Sequence, residues 1–201
     1  AYLFSHYVWV TGTSQAANTF SRVVCQRNYA RCPRKPAFIV EVASNDGTFL
    51  KPFKEDGCRI LGVDPSRNIA KIARHAGIDT LADFFGTRVA KQIAQQHGKA
   101  EGVFARNVIP HVQNIHDVIS GIAEILHDQG VGAIEFHDAR KILEELQYDS
   151  IYHEHLFYFS VKSVSHLLAK HGLTVFDARD SPISGGARIV YFSRSPRGAS
   201  E

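Results

Sequence analysis

The stretch AFIVEVASNDGTFLKPFKEDGCRILGVD, residues 37–64, decides the fold. It holds two short apolar runs, AFIVEVA (37–43) and RILGVD (59–64), of the kind that form strands buried on both faces. An acid stands near the end of each, Glu41 in the first and Asp64 in the second. Between the runs, Ser44, Asn45 and Asp46 are turn formers, and Gly47 opens a helical stretch, GTFLKPFKEDG. Strand, turn, helix and strand in this order predict one unit of a parallel sheet.

The same alternation continues outward. GVFARN (102–107) and GAIEFH (132–137) are further strand-like runs. PSRNIAKIARHAG (65–77) reads as a helix with Pro65 near its start, Ile69, Ile72, Ala73 and Ala76 on its inner stripe, and Gly77 after it. NIHDVISGIAEILHDQG (114–130) puts Ile115, Val118, Ile119, Ile122, Ile125 and Leu126 on one face, with Gly130 as a stop. After residue 172, LTVFDARDSPISGGARIVYF changes to two strand-like runs around a Ser/Pro/Gly turn, which predicts an antiparallel pair at the sheet edge. Residues 1–36 end in RCPRKP and read as an N-terminal segment and linker, with the domain proper over 37–201.

With 201 residues, 44% of them hydrophobic, the chain can bury one sizeable core and hardly two. The net charge of +3 comes from basic residues interleaved with acids, which argues against nucleic acid or a membrane surface as partner. No stretch approaches the roughly 18 apolar residues of a membrane span. Cys25, Cys32 and Cys58 are odd in number and lack the close pairing of a zinc site or the density of a disulfide scaffold, which points to a reducing cytoplasm. The chain contains no methionine, even at position 1, and reads as a piece of a longer or processed protein.

In an open parallel sheet, ligands sit at the carboxyl ends of the strands. The loop after the first strand lacks the GxGxxG glycines that let a backbone close on a pyrophosphate, which argues against a nicotinamide dinucleotide. A glycine-poor loop bearing acids and amides (Glu41, Ala43, Ser44, Asn45, Asp46, Gly47) suits a ligand with a cationic amino-acid end and a ribose. S-adenosyl-L-methionine is such a ligand. Asp64, followed by Pro65 and Ser66, lies 23 residues after Glu41, the distance at which a second-strand acid reaches a ribose hydroxyl pair. ADFF (82–85) would offer Asp83 to an adenine amino group and Phe84 or Phe85 to its ring face. Taken singly, Asp46 and Asp64 are also what helix caps and turns use.

QYDSIYHEHLFYFS (147–160) gathers Tyr148, Tyr152, His153, Glu154, His155 and Tyr158. Such a cluster is a metal site, an acid/base site or a buried polar network. A metal held by His153, Glu154, His155 and His111 lacks a further ligand at recognisable spacing, so none is expected. Side chains two apart share a face only in extended structure, so His153 is expected to point away from His155.

VEVASNDGTFLKPFKEDGCRILGVDPSRNIAKIA, ARNVIPHV and YDSIYHEHLFYFSVKSVSHLLAKHGLTVFD together resemble the sugar C-methyltransferase family over roughly residues 37–180. The family acts on nucleotide-linked 4-keto deoxyhexoses with S-adenosylmethionine. The resemblance implies a Rossmann-like class I α/β fold, a mostly parallel seven-stranded sheet with an antiparallel edge hairpin and helices on both faces. It implies His155 as base, Tyr152 and Glu154 lining the sugar pocket, His111 as a second acid/base or positioning group, and Asn107 facing the cofactor. A hydroxyl- or amine-directed methyltransferase, and a binding domain without turnover, are the competing readings. The resemblance also implies a parent chain with a zinc-binding module and a C-terminal domain that helps hold the nucleotide. Within SHYVWVTGTSQ, Tyr7, Thr13 and Ser14 would match family residues that approach the active site. The family has glycine where Ala43 stands here, and its His-Gly-Gly-Ser-apolar-Arg pattern reads SGGARI, with Ser184 for His, Ala187 for Ser, and Arg188 and Ile189 in reversed order.

Overall fold

The computed structural model describes residues 8–183 and 186–197. Tyr7 and Ser184 lie outside the described residues. The strands are β1 (Phe38–Val42), β2 (Arg59–Val63), β3 (Thr80–Leu81), β4 (Ala100–Arg106), β5 (Leu126–His137), β6 (Thr174–Asp180) and β7 (Ala187–Ser193). The helices are α1 (Gln15–Tyr29), α2 (Lys51–Glu55), α3 (Arg67–His75), α4 (Thr87–His97), α5 (Ile115–Ile125), α6 (Ala139–Glu144) and α7 (Val161–Ala169). The seven strands form one sheet in the order β3-β2-β1-β4-β5-β7-β6. β1 to β5 run parallel, while β7 is antiparallel to both β5 and β6. The order therefore reverses between β1 and β4, where the first crossover series ends and the second begins.

Every residue of β1 is buried, as a strand covered on both faces requires. Phe38, Val40 and Val42 enter a core with α4, α5 and α7, whereas Ile39 enters the opposite core with α1 and Phe53 of α2. α1 supplies Ala17, Phe20, Val24 and Cys25 to that second core, so the segment ahead of RCPRKP packs on the sheet. Among the described residues no helix is long and apolar enough to cross a membrane.

Three local expectations are corrected. Gly130 does not stop a helix: α5 ends at Ile125, and Leu126 turns extended (φ −67°, ψ 126°) to begin β5, which contains Gly130. The helix end is satisfied instead by Arg194, whose Nε donates to the Leu126 carbonyl at 3.0 Å and whose Nη2 reaches the Ala123 carbonyl. In α3 the inner stripe is Ile69, Ala70 and Ala73, and Ile72 is exposed, because the helix turns its 69/70/73 face to the sheet. Ala76 is likewise exposed, at the C-cap. Gly47 stands in a turn before α2, which starts at Lys51 with Pro52 in its first turn, where a missing N–H costs nothing.

Candidate active site

The reversal of strand order brings the carboxyl ends of β1, β2 and β4 to one edge. After β1 the chain turns sharply, with Ala43 at φ 55°, Asn45 at φ 51° and Gly47 at φ 78°. At Gly47 a Cβ would stand 2.6 Å from Cγ2 of Ile78, so the turn demands glycine for space as well as for conformation. Asp64 organises the loop: its Oδ2 accepts the Asn45 amide and its Oδ1 the Ser66 amide, each at 2.9 Å. Burial nevertheless raises the carboxyl above its ordinary range.

Asn45 and Asp46 hold the chain's own N-terminal strap. The Thr11 amide donates to Asn45 Oδ1 at 2.9 Å, Asn45 Nδ2 donates to the Trp9 carbonyl at 3.0 Å, and the Gly12 amide donates to Asp46 Oδ2 at 2.9 Å. Asp46 Oδ1 accepts from the Thr48 hydroxyl at 2.7 Å. Thr13 and Ser14 turn to the backbone instead. Thr13 Oγ1 donates to the Val10 carbonyl, and Ser14 Oγ caps α1 by accepting the Ala17 amide.

Glu41 is buried, and Glu41 Oε2, Ser44 Oγ and Asn107 Oδ1 have no hydrogen-bond partner. Burial pushes the Glu41 carboxyl up to about 8, although Arg106 nearby pulls it down. Buried polar atoms without partners are costly, and three of them at one strand edge fit a ligand that carries an amine and hydroxyls. Asn107 adopts φ 49°, and its Nδ2 reaches Glu135 Oε1 at 3.3 Å. Glu135 also accepts from Arg106 Nε at 2.8 Å and from the Ser181 hydroxyl at 3.2 Å, and the Arg106 guanidinium lies 3.3 Å over the Phe49 ring. Sequence reading missed this ion pair; its one signal was a carboxylate inside the apolar run GAIEFH. Asp83 accepts from Arg88 Nη2 at 2.7 Å, Phe84 is exposed and Phe85 packs against the core, which leaves Phe84 as the aromatic on the surface.

The YHEH segment hangs across the neighbouring strand end. The Leu156 amide donates to the Pro110 carbonyl at 2.8 Å, and the Ala139 amide donates to the Phe159 carbonyl at 2.7 Å. His155 is buried; its Nδ1 donates to the Ser150 carbonyl at 2.8 Å, since a carbonyl only accepts. Nε2 is thereby the acceptor, and the Tyr152 hydroxyl donates to it at 3.1 Å. His111 Nδ1 donates to the Glu154 carbonyl at 3.0 Å, and its ring centroid lies 4.7 Å from that of His155. Burial, with the His155 ring as a second cause, lowers the His111 pKa below the ordinary imidazole value. His153 is exposed and meets the Tyr152 ring edge-on at 6.5 Å. His137, at the end of β5, brings a further imidazole 5.6 Å from His155, a residue the strand pattern gave no reason to single out. Among the described residues no group of three His, Cys, Asp or Glu side chains is arranged to hold a metal ion. Arg188 Nε donates to Asp138 Oδ2 at 3.2 Å, tying the start of β7 to the end of β5.

An open sheet of this order, with acids closing β1 and β2, defines the class I methyltransferase fold. The chain belongs to the methyltransferase-domain family, whose model matches residues 17–178. It is 33% identical to the C-methyltransferase NovU of Streptomyces niveus over 94% of its own length and 45% of that protein's. It is 24% identical over 69% of its length to the ubiquinone biosynthesis O-methyltransferase of Bartonella quintana (strain Toulouse), of which it covers 61%. The chain thus spans about half to three fifths of these curated relatives. Among solved structures, the PH0226 protein of Pyrococcus horikoshii OT3 superposes with TM-score 0.70 at 16% identity, over 92% of this chain and 94% of that one. Magnesium protoporphyrin IX methyltransferase of Synechocystis PCC 6803 with bound SAH gives 0.66 at 14% identity, over 89% and 83%.

Proposed function

We propose that the chain transfers a methyl group from S-adenosylmethionine to a carbon next to the ketone of a nucleotide-linked deoxysugar. The observation that carries this reading is His155, buried, held by Ser150 and aimed at the Tyr152 hydroxyl through Nε2. Carbon–carbon bond formation needs a carbanion equivalent, and a proton beside a ketone is its accessible source. The cofactor supplies an electrophilic methyl group and leaves as the neutral thioether. Glu41, Ser44, Asn107 and Asp64 bind and orient it. His155, with the Tyr152 hydroxyl as its hydrogen-bond partner, takes the proton from the substrate carbon, and His111, its Nδ1–H held by the Glu154 carbonyl, positions the YHEH loop beside it. Glu154 and Tyr158 line the sugar pocket. The likeness to NovU supports carbon as the acceptor atom. The nucleotide is held in part by domains beyond this chain. The dispersed free thiols fit a reducing cytoplasm.

Calorimetric titration with S-adenosylhomocysteine is the entry test: saturable binding is expected, lost in Asp64→Ala. Incubation with a nucleotide-linked 4-keto deoxyhexose in deuterated water is then expected to place deuterium beside the ketone, with no exchange in His155→Asn. Methylation of a hydroxyl acceptor without any such exchange would move the chain to the O-methyltransferases.

A further inference from the structure

Charge does not balance at the carboxyl ends of β1, β2, β4 and β5. Four acids stand there almost wholly buried, Glu41, Asp46, Asp64 and Glu135. Three have settled partners. Glu135 pairs with Arg106, Asp64 accepts the Asn45 and Ser66 amides, and Asp46 accepts the Gly12 amide and the Thr48 hydroxyl. Glu41 Oε2 is buried without a hydrogen-bond partner, as are Ser44 Oγ and Asn107 Oδ1 at the same edge. The cation facing Glu41 is Arg106, and its guanidinium is already committed to Glu135 and to the face of the Phe49 ring.

A buried carboxyl that faces three other acids and one occupied cation keeps its proton, because desolvation and like charge both disfavour the ionised form. Burial first, then Asp46, Asp64 and Glu135, push Glu41 up to about 8 against the pull of Arg106.

We propose that Glu41 selects a ligand by its ammonium group and exchanges a proton for it: the free chain holds the neutral carboxyl, and the arriving ammonium pairs with the carboxylate left when that proton departs to solvent. The inference rests on the cofactor reading above, since it needs a ligand with an amino-acid end. One carboxyl O–H bond breaks, its proton goes to the buffer, and the ammonium keeps its own three. The ligand thereby supplies the second cation that this edge lacks. Affinity is expected to rise about tenfold per pH unit while Glu41 is protonated in the free chain, and to level off above about pH 8.

The test is calorimetry of the whole chain at pH 7 in buffers of differing ionisation enthalpy, with S-adenosylhomocysteine and with 5′-methylthioadenosine. The second ligand keeps the adenine, ribose and thioether but has no amino-acid end. S-adenosylhomocysteine is expected to release about one proton more than 5′-methylthioadenosine. Asp64, which burial also raises, answers to the ribose that both ligands carry, so its contribution drops out of the difference. In Glu41→Gln, an isostere of the neutral acid, the excess is expected to vanish, and the affinity for S-adenosylhomocysteine to lose its pH dependence. The ¹³C carboxyl resonance of Glu41 is expected to report a protonated group in the free chain and an ionised one in the complex. Equal release by the two ligands, or a Glu41 already ionised in the free chain, overturns the proposal and leaves the cofactor reading intact. If 5′-methylthioadenosine does not bind, undiminished release in Glu41→Gln overturns it; if that variant fails to fold, the difference between the two ligands decides alone. Absence of binding by either ligand overturns both the proposal and the cofactor reading.

Discussion

Glu41 carries its protonation state as a pH signature. The folded chain keeps a proton on this carboxyl up to about pH 8, whereas the unfolded chain releases it near 4.5. Its stabilising effect is therefore full below pH 4.5 and is lost as pH rises through 8. The loss is on the order of a few kcal/mol, and urea midpoints for Glu41→Gln are expected to lack this part of the decline between pH 5 and 9. Ala43 makes the opposite kind of statement, about strain. At φ 55° its Cβ costs about 1 kcal/mol, which Ala43→Gly would relieve at a smaller entropic loss. The variant is expected to match or exceed the wild-type Tm by up to about 3 °C, and a drop of several degrees would mean that the methyl group packs productively. Glu41 and Asp64 could be singled out only as members of an ordered set, because an acid at the end of an apolar run is, taken singly, also what caps and turns use. Ile72 was misread because helical phase over nine residues admits two neighbouring stripes, and only contact with the sheet selects one.

Between elements, the strap from Trp9 to Gly12 closes over the loop after β1 through three hydrogen bonds. A Cβ at Gly12 would stand 2.5 Å from Asp46 Oδ2 and 2.8 Å from Thr48 Oγ1. Gly12→Ala is accordingly expected to lose about 1–3 kcal/mol and to weaken S-adenosylhomocysteine binding roughly tenfold, read by thermal melts and calorimetry. Unchanged binding with lowered stability would mean that the strap supports the fold and leaves the ligand loop alone. The resemblance drew attention to the hydroxyls of Thr13 and Ser14, yet the contact is made by the amides of Thr11 and Gly12. A backbone amide has no side-chain signature, so sequence alone could not mark it.

At the scale of the whole molecule, the N-terminal helix is locked to the β6 edge of the sheet. Arg31, in the turn after α1, donates through Nε to Asp177 of β6 at 2.8 Å, and its guanidinium lies 3.9 Å over the Tyr191 ring. Both members of the pair are almost wholly buried. Arg31→Ala removes the guanidinium fork from the buried Asp177 carboxylate and is expected to cost about 3 kcal/mol, a Tm drop on the order of 6–12 °C. Arg31→Lys is expected to recover little, because an ammonium neither forks onto the carboxylate nor stacks flat on the ring. Full stability in the alanine variant would show that α1 is held by its apolar face alone.

The alternation of strands and helices, the turn after β1 and the YHEH stretch were determined by the sequence itself, since each rests on local periodicity or on adjacent residues. The tertiary structure alone decided that β7 inserts between β5 and β6, that Arg106 pairs with Glu135 and that His137 joins His155. Each of these joins residues 18 to 60 positions apart, or chooses among strand orders that local pattern leaves equal. Propensity acts over a few residues, whereas burial of a charge or a ring is settled only when distant elements pack.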